Sequence, residues 1–208
     1  IYIKEKSLEK SALKSYEKFK DKSPTISIEN PPAGMMALGR AEELKNLIKN
    51  SREEFVKKAV EKGISESKAK SAAEKIIGAT WDVGHINMIR KYGYDKADVV
   101  KETEKIAPYV KHVHLSDNFG YEHTELPMGM GNVPIKEIFE KLEKEGKLGE
   151  IRKIAETGDW FQHFKTPPVV ENFSAFGIPV YSGTARQPYW NQIAATSGSY
   201  SAGFGTML

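Results

Sequence analysis

The sequence predicts an α/β protein built on a parallel sheet, and three observations carry that reading. Short apolar segments alternate with stretches whose apolar residues recur at the helical period. The connections between successive strands are long enough for right-handed crossovers. Each of the four strands also ends in a polar residue able to ligate a metal: Glu29, Asp82, His114 and Glu156. Parallel α/β proteins carry their sites at the C-terminal strand ends, so these four side chains are expected to converge on one face.

The elements follow in order. Residues 4–20 place Leu8, Ala12, Leu13, Tyr16 and Phe19 on one stripe among Lys and Glu, which predicts an amphipathic helix. Ser23-Pro24 breaks it, and Thr25–Asn30 reads as a strand stopped by Pro31-Pro32. Residues 41–62 return to the helical period, Gly63 ends that helix, and Ser65 or Ser67 caps another running to about Ile77. Gly78–Asp82 is the second strand, with Gly84 and His85 at its exit. Asp95 caps a helix over about 96–107. Tyr109–Leu115 is the third strand, and a long polar loop follows it. Pro134 opens a helix to about residue 145, Gly146 ends it, and Glu150–Glu156 is the fourth strand. A last helix is expected over about 168–176. The tail from 187 to 208 carries no charge but holds Tyr189, Trp190, Tyr200 and Phe204, so it is expected to pack, most readily on a second subunit.

Composition narrows the function. The 208 residues are 39% hydrophobic and 28% charged, which is ordinary for a globular protein with a sizeable core. A net charge of +3 lacks the electrostatic footprint of a dedicated nucleic-acid binder, so no nucleic-acid partner is expected. No apolar run approaches the ~20 residues of a membrane span, and the N-terminus carries no signal-peptide core; a cytoplasmic protein without a membrane partner is expected. With no Cys there is no thiolate nucleophile and no cysteine zinc site. The 26 Lys against 5 Arg and 22 Glu against 6 Asp fit a thermophile.

Three carboxylates and one imidazole make a hard oxygen/nitrogen donor set, suited to one divalent ion such as Mn²⁺, Mg²⁺, Co²⁺ or Zn²⁺. A strand-end Glu taken alone could equally hold a helix N-terminus; four such residues at four successive exits favour the metal reading. Alternation along the third strand puts His112 and His114 on one face, with Val113 and Leu115 facing the helices. His114, nearer the exit, is the better ligand, and His112 is expected to be a buried histidine satisfied by a neighbour. Asp117 and Asn118 follow the strand, where Asx residues also form turns. His85 could orient substrate or bind a second metal. Trp160 and Phe161 lie near a strand exit and could stack on a sugar, whereas Trp81 is expected in the core.

Ile28-Glu29-Asn30, Trp81-Asp82-Val83-Gly84-His85, Val113-His114-Leu115-Ser116-Asp117-Asn118 and the turn Leu126–Asn132 together resemble the xylose-isomerase-like TIM barrels, a superfamily of sugar-phosphate isomerases and epimerases related to endonuclease IV. The resemblance covers residues 24–165. It implies a (β/α)8 barrel of which residues 1–177 are the C-terminal half, strands five to eight, completed by an N-terminal half or a partner chain; residues 178–208 would be an extension. It also implies metal ligands Glu29, Asp82, His114 and Glu156, with Glu29 and Glu156 doubling as the catalytic acid/base pair. His85, Asn30, Asp117 and Trp160 would bind substrate. One departure separates branches of the family. Endonuclease IV-like enzymes carry Asp-x-His before the Gly-x-Gly turn, whereas His123 and Glu125 stand here in inverted order, which disfavours a trinuclear zinc site. The implied activity is divalent-metal-dependent isomerisation or epimerisation of a sugar or sugar phosphate through an enediolate-like intermediate, in a homo-oligomer or with the chain that completes the barrel. The alternatives are a metal-dependent phosphodiesterase of the abasic-site endonuclease type and an inactive binding subunit on the same barrel.

Overall fold

The computed structural model describes residues 2–145, 149–158, 160 and 168, with side chains from residue 8 onward. The expected helix over 168–176, Phe161 and the extension from 178 lie outside the described residues. The element order is α1 (Tyr2–Phe19), β1 (Ile26–Glu29), α2 (Ala41–Glu61), α3 (Glu66–Ile76), β2 (Ile77–Asp82), α4 (Val83–Asn87), α5 (Lys96–Ile106), β3 (Val110–Leu115), α6 (Ile135–Lys144) and β4 (Arg152–Ala155). The four strands form one parallel sheet in the order β1-β2-β3-β4. Among the described residues no helix is long and apolar enough to cross a membrane.

The helices form where the apolar stripes predict them. Leu44, Leu47, Ile48, Phe55 and Ala59 of α2 are buried, and Tyr16 of α1 meets the Phe55 ring edge-on at 5.9 Å. Asp95 caps α5 as expected, in a reciprocal capping box with Asp98. The short α4 was not expected from the sequence: five residues are too few for a periodic signal. It forms because the Asp82 side chain accepts the His85 N–H at 2.8 Å and caps it.

The helices cover one face of the sheet. Trp81 is fully buried there, and its indole N–H donates to Thr103 of α5 at 3.1 Å, the core role expected of it. A bulge in β3 adjusts the register: Ala79 pairs with Val110, but Thr80 pairs with His112, leaving Lys111 as the extra residue. Val110 thereby reaches the core while His112 and His114 face the other side. Gly78 makes room for the bulge, since a Cβ there would lie 2.3 Å from Lys111 Cγ.

Two features of the sheet position the site. Glu29 stands opposite Thr80, Asp82 opposite His114, and His114 opposite Ile154, so the chemically armed position advances along the strands from β1 to β4. The outer edges of β1 and β4 are unpaired among the described residues, and every residue of β4 is exposed. Between the helices, Glu102 of α5 is buried and accepts from Arg40 Nε and Nη2 at 3.1 Å each, from Lys105 Nζ at 2.8 Å and from the Ala41 N–H at 2.8 Å. Burial alone would raise the Glu102 pKa, but these donors outweigh it and hold the carboxyl below its ordinary range.

Candidate metal centre

Glu29 ends β1, Asp82 ends β2, His114 is one residue from the end of β3 and Glu156 follows β4. One ligand atom from each lies within 4.8 Å of all the others. The convergence expected at the strand exits is therefore present in the folded chain.

The crowding centres on one nitrogen. His114 Nδ1 lies 2.8 Å from Glu156 Oε2, 3.1 Å from Glu29 Oε1 and 3.9 Å from Asp82 Oδ2. A ring nitrogen carries one hydrogen at most, so it cannot satisfy three carboxylates. Asp82 is fully buried, and its Oδ2 has no hydrogen-bond partner. Its other oxygen is engaged, accepting the His85 N–H and the Ser116 hydroxyl at 3.2 Å. Burial pushes the Asp82 carboxyl up to about 6, with Glu156 and Glu29 adding to the shift and His85 opposing it. A buried, donor-less carboxylate oxygen facing two glutamates and an imidazole nitrogen is what a hard divalent cation would satisfy, and the donor set suits one.

A second cluster adjoins the first. His85 Nε2 lies 2.7 Å from His123 Nε2, which lies 3.2 Å from Glu125 Oε1, and the three residues have ligand-type atoms within 4.8 Å of one another. His85 Nδ1 meets the Asn30 carbonyl at 2.7 Å. A carbonyl only accepts, so the neutral His85 ring carries its hydrogen on Nδ1 and presents the Nε2 lone pair to the cluster.

Three residues implied as substrate ligands are also tied into the structure around the site. The Asn30 side chain is engaged at both ends with the Asp82 backbone, donating to its carbonyl at 3.1 Å and accepting its N–H at 2.8 Å. Asn30 thus locks the β1 exit to the β2 exit. Asp117 is buried and accepts the N–H groups of Asn118, Gly129 and Val133 at 2.9 Å each, while its backbone pairs with Leu126. This is the turn-forming reading of an Asx residue, extended to a whole loop. Burial raises the Asp117 pKa, and the backbone donors pull it back. Trp160 is only 7% exposed. Of the four, His85 stands at the cluster.

His112 departs from its expectation. It is half-buried, and its Nε2 is enclosed without a hydrogen-bond partner. Burial, with His114 and Arg152 adding to it, holds its pKa below the usual histidine range. Sequence reasoning also missed the Asn87 side chain, which donates to Asn118 Oδ1 and Asn132 Oδ1 at 3.0 Å each and ties α4 to the loop after β3. The only signal was the density of Asn and Gly around those positions, which reads as turns.

A parallel β/α sheet with acid and imidazole clusters at its strand exits defines the class, an α/β protein of the barrel type with side-chain groups able to hold metal. The chain belongs to the xylose isomerase-like TIM barrel family, whose model matches residues 6–160. Over 82 residues it is 35% identical to the uncharacterized protein MJ1311 of Methanocaldococcus jannaschii, a stretch amounting to 39% of this chain and 27% of that protein. The match thus spans about a quarter of the relative's length. No solved structure matches the chain.

Proposed function

We propose that the protein is a divalent-metal-dependent isomerase or epimerase acting on a sugar or sugar phosphate. The observation that carries this reading is the division of exposure within the quartet. Asp82 and His114 side chains are 0% and 19% exposed, whereas Glu29 and Glu156 are 38% and 36% exposed and enter from the two outer strands. The inner pair is suited to holding an ion, and the outer pair to meeting a substrate from opposite sides. An ion bound there would polarise a carbonyl and its neighbouring hydroxyl, easing removal of the proton on the adjacent carbon. Glu29 and Glu156 would move that proton, one as base and the other as acid, which is how a carboxylate pair inverts or transfers a C–H. His85, with its Nδ1 hydrogen held on Asn30, would present Nε2 to a substrate hydroxyl.

The family also includes endonuclease-like members, and the His85–His123–Glu125 cluster favours that second reading, since adjacent metal groups suit hydrolysis of a phosphodiester. We further propose that the sheet is half of an eight-stranded barrel, its strands corresponding to the fifth to eighth. The family membership supports this, as do the edges of β1 and β4, unpaired among the described residues, and an apolar cleft of about 490 Å³ beside β1 lined by Leu8, Ile26, Ile28, Met36 and Leu38.

The test is exchange of carbon-bound hydrogen with deuterated solvent, using a panel of ketoses and ketose phosphates in the presence of Mn²⁺. Glu156→Gln should keep metal and lose exchange by 10²-fold or more. Cleavage of abasic-site DNA without exchange on any sugar would establish the hydrolytic reading instead.

A further inference from the structure

We propose that His112, which takes no part in the chemistry above, is the positioning residue for the imidazole of His114. The proposal rests on the reading of His114 as a metal ligand. The two histidines lie two residues apart on the inner side of β3, and their rings meet edge to face with centroids 4.9 Å apart and planes at 90°. No polar contact at Nε2 explains an imidazole at position 112. Its Nε2 is enclosed with no hydrogen-bond partner. The hydroxyl of Thr80, opposite it in β2, is engaged with the Ser27 hydroxyl at 2.7 Å. The contact the ring does make is with His114.

That contact has a use. The terminal torsion of a histidine is broad and roughly two-fold, so an unsupported ring rotates. Half a turn would take Nδ1 of His114 away from Glu29, Asp82 and Glu156 and break the convergence of the four donors. A second planar ring standing perpendicular against it narrows that rotation, and regular strand alternation beyond the bulge keeps His112 and His114 on the same side. Such support around a metal ligand typically changes affinity by about 10- to 100-fold.

The experiment is a titration of the full chain and three variants with Co²⁺, followed by calorimetry and by the visible absorption of the bound ion, which reports its coordination. His112→Phe keeps a flat ring without nitrogens and should bind within about threefold of the unaltered protein, with the same spectrum. His112→Ala and His112→Leu should each bind at least tenfold more weakly, with an altered spectrum. Leucine fills the volume, so the comparison of Leu with Phe stands even where the alanine variant does not fold. Equal affinity and spectrum for Leu and Phe would overturn the proposal, as would a Phe variant no better than Leu. An unaltered protein that binds no Co²⁺ would overturn the metal reading of the quartet itself.

Discussion

Asp82 shows how much of the site is decided at a single side chain. One oxygen caps α4 and holds Ser116; the other is buried without a hydrogen-bond partner, 3.9 Å from His114 Nδ1. Its carboxyl titrates near 6 rather than near the ordinary 3.8 because burial disfavours the charge. A carboxyl pKa raised on folding means that the folded state binds the proton more tightly. The associated stability is therefore present below about pH 4 and lost as pH rises through about 6. Asp82→Asn should accordingly make the metal-free protein more stable at pH 7, by about 1–3 kcal/mol, with the gap closing toward pH 4. The same variant should lose the stabilisation that added Mn²⁺ gives. Thermal melts of both proteins across that range, with and without Mn²⁺, measure both effects; a metal-free variant less stable than its parent would refute the argument. The identity of the quartet was legible in the sequence because each member closes a strand. The task of Asn30 was not, since its two hydrogen bonds go to the backbone of a residue 52 positions away.

At the scale of elements, the tie between α2 and α5 sets the frame behind the site. Glu102 gathers Arg40, Lys105 and the first N–H of α2 on one buried carboxylate, and Arg40 also stacks on Tyr94 at 4.7 Å. Removing one member of a buried, hydrogen-bonded ion group leaves its partners uncompensated, so Glu102→Gln should cost about 2–4 kcal/mol near neutral pH. The lowered pKa of Glu102 gives the sign: its contribution is present above the ordinary glutamate range and is lost as pH falls through the depressed value. The difference between parent and variant in urea denaturation should shrink on acidification; a difference independent of pH would assign the loss to packing. Helices α2, α3, α5 and α6 were legible because their apolar stripes are long and their ends carry breakers or caps. The bulge in β3 was invisible, because simple alternation assigns Val110, His112 and His114 to one face and only packing against Ala79 reveals that Val110 has crossed over.

For the whole molecule, the sheet's two ends matter most. β1 and β4 present unpaired edges among the described residues, and Ile154 is 50% exposed. Free edges of this kind recruit further strands. The 208-residue chain should therefore self-associate, and light scattering should give a mass above 23.3 kDa that rises with concentration. Ile154→Lys should shift that curve toward the monomer. A constant mass of 23.3 kDa at all concentrations would show that the edges are covered from within.

The stepwise advance of the four exit residues gives the sheet a mechanical property. Glu156 lies four residues further along the sheet than Glu29 when the pairing is followed from strand to strand. In a flat sheet that offset is about 13 Å along the strands, with three inter-strand spacings, about 14 Å, across them. Their ligand atoms nevertheless lie within 4.8 Å. Coiling of the sheet, together with the reach of the side chains, closes that distance, so the quartet acts as a gauge of curvature. Whatever grips all four atoms at once stiffens the sheet against unbending, and whatever flattens the sheet loosens the grip.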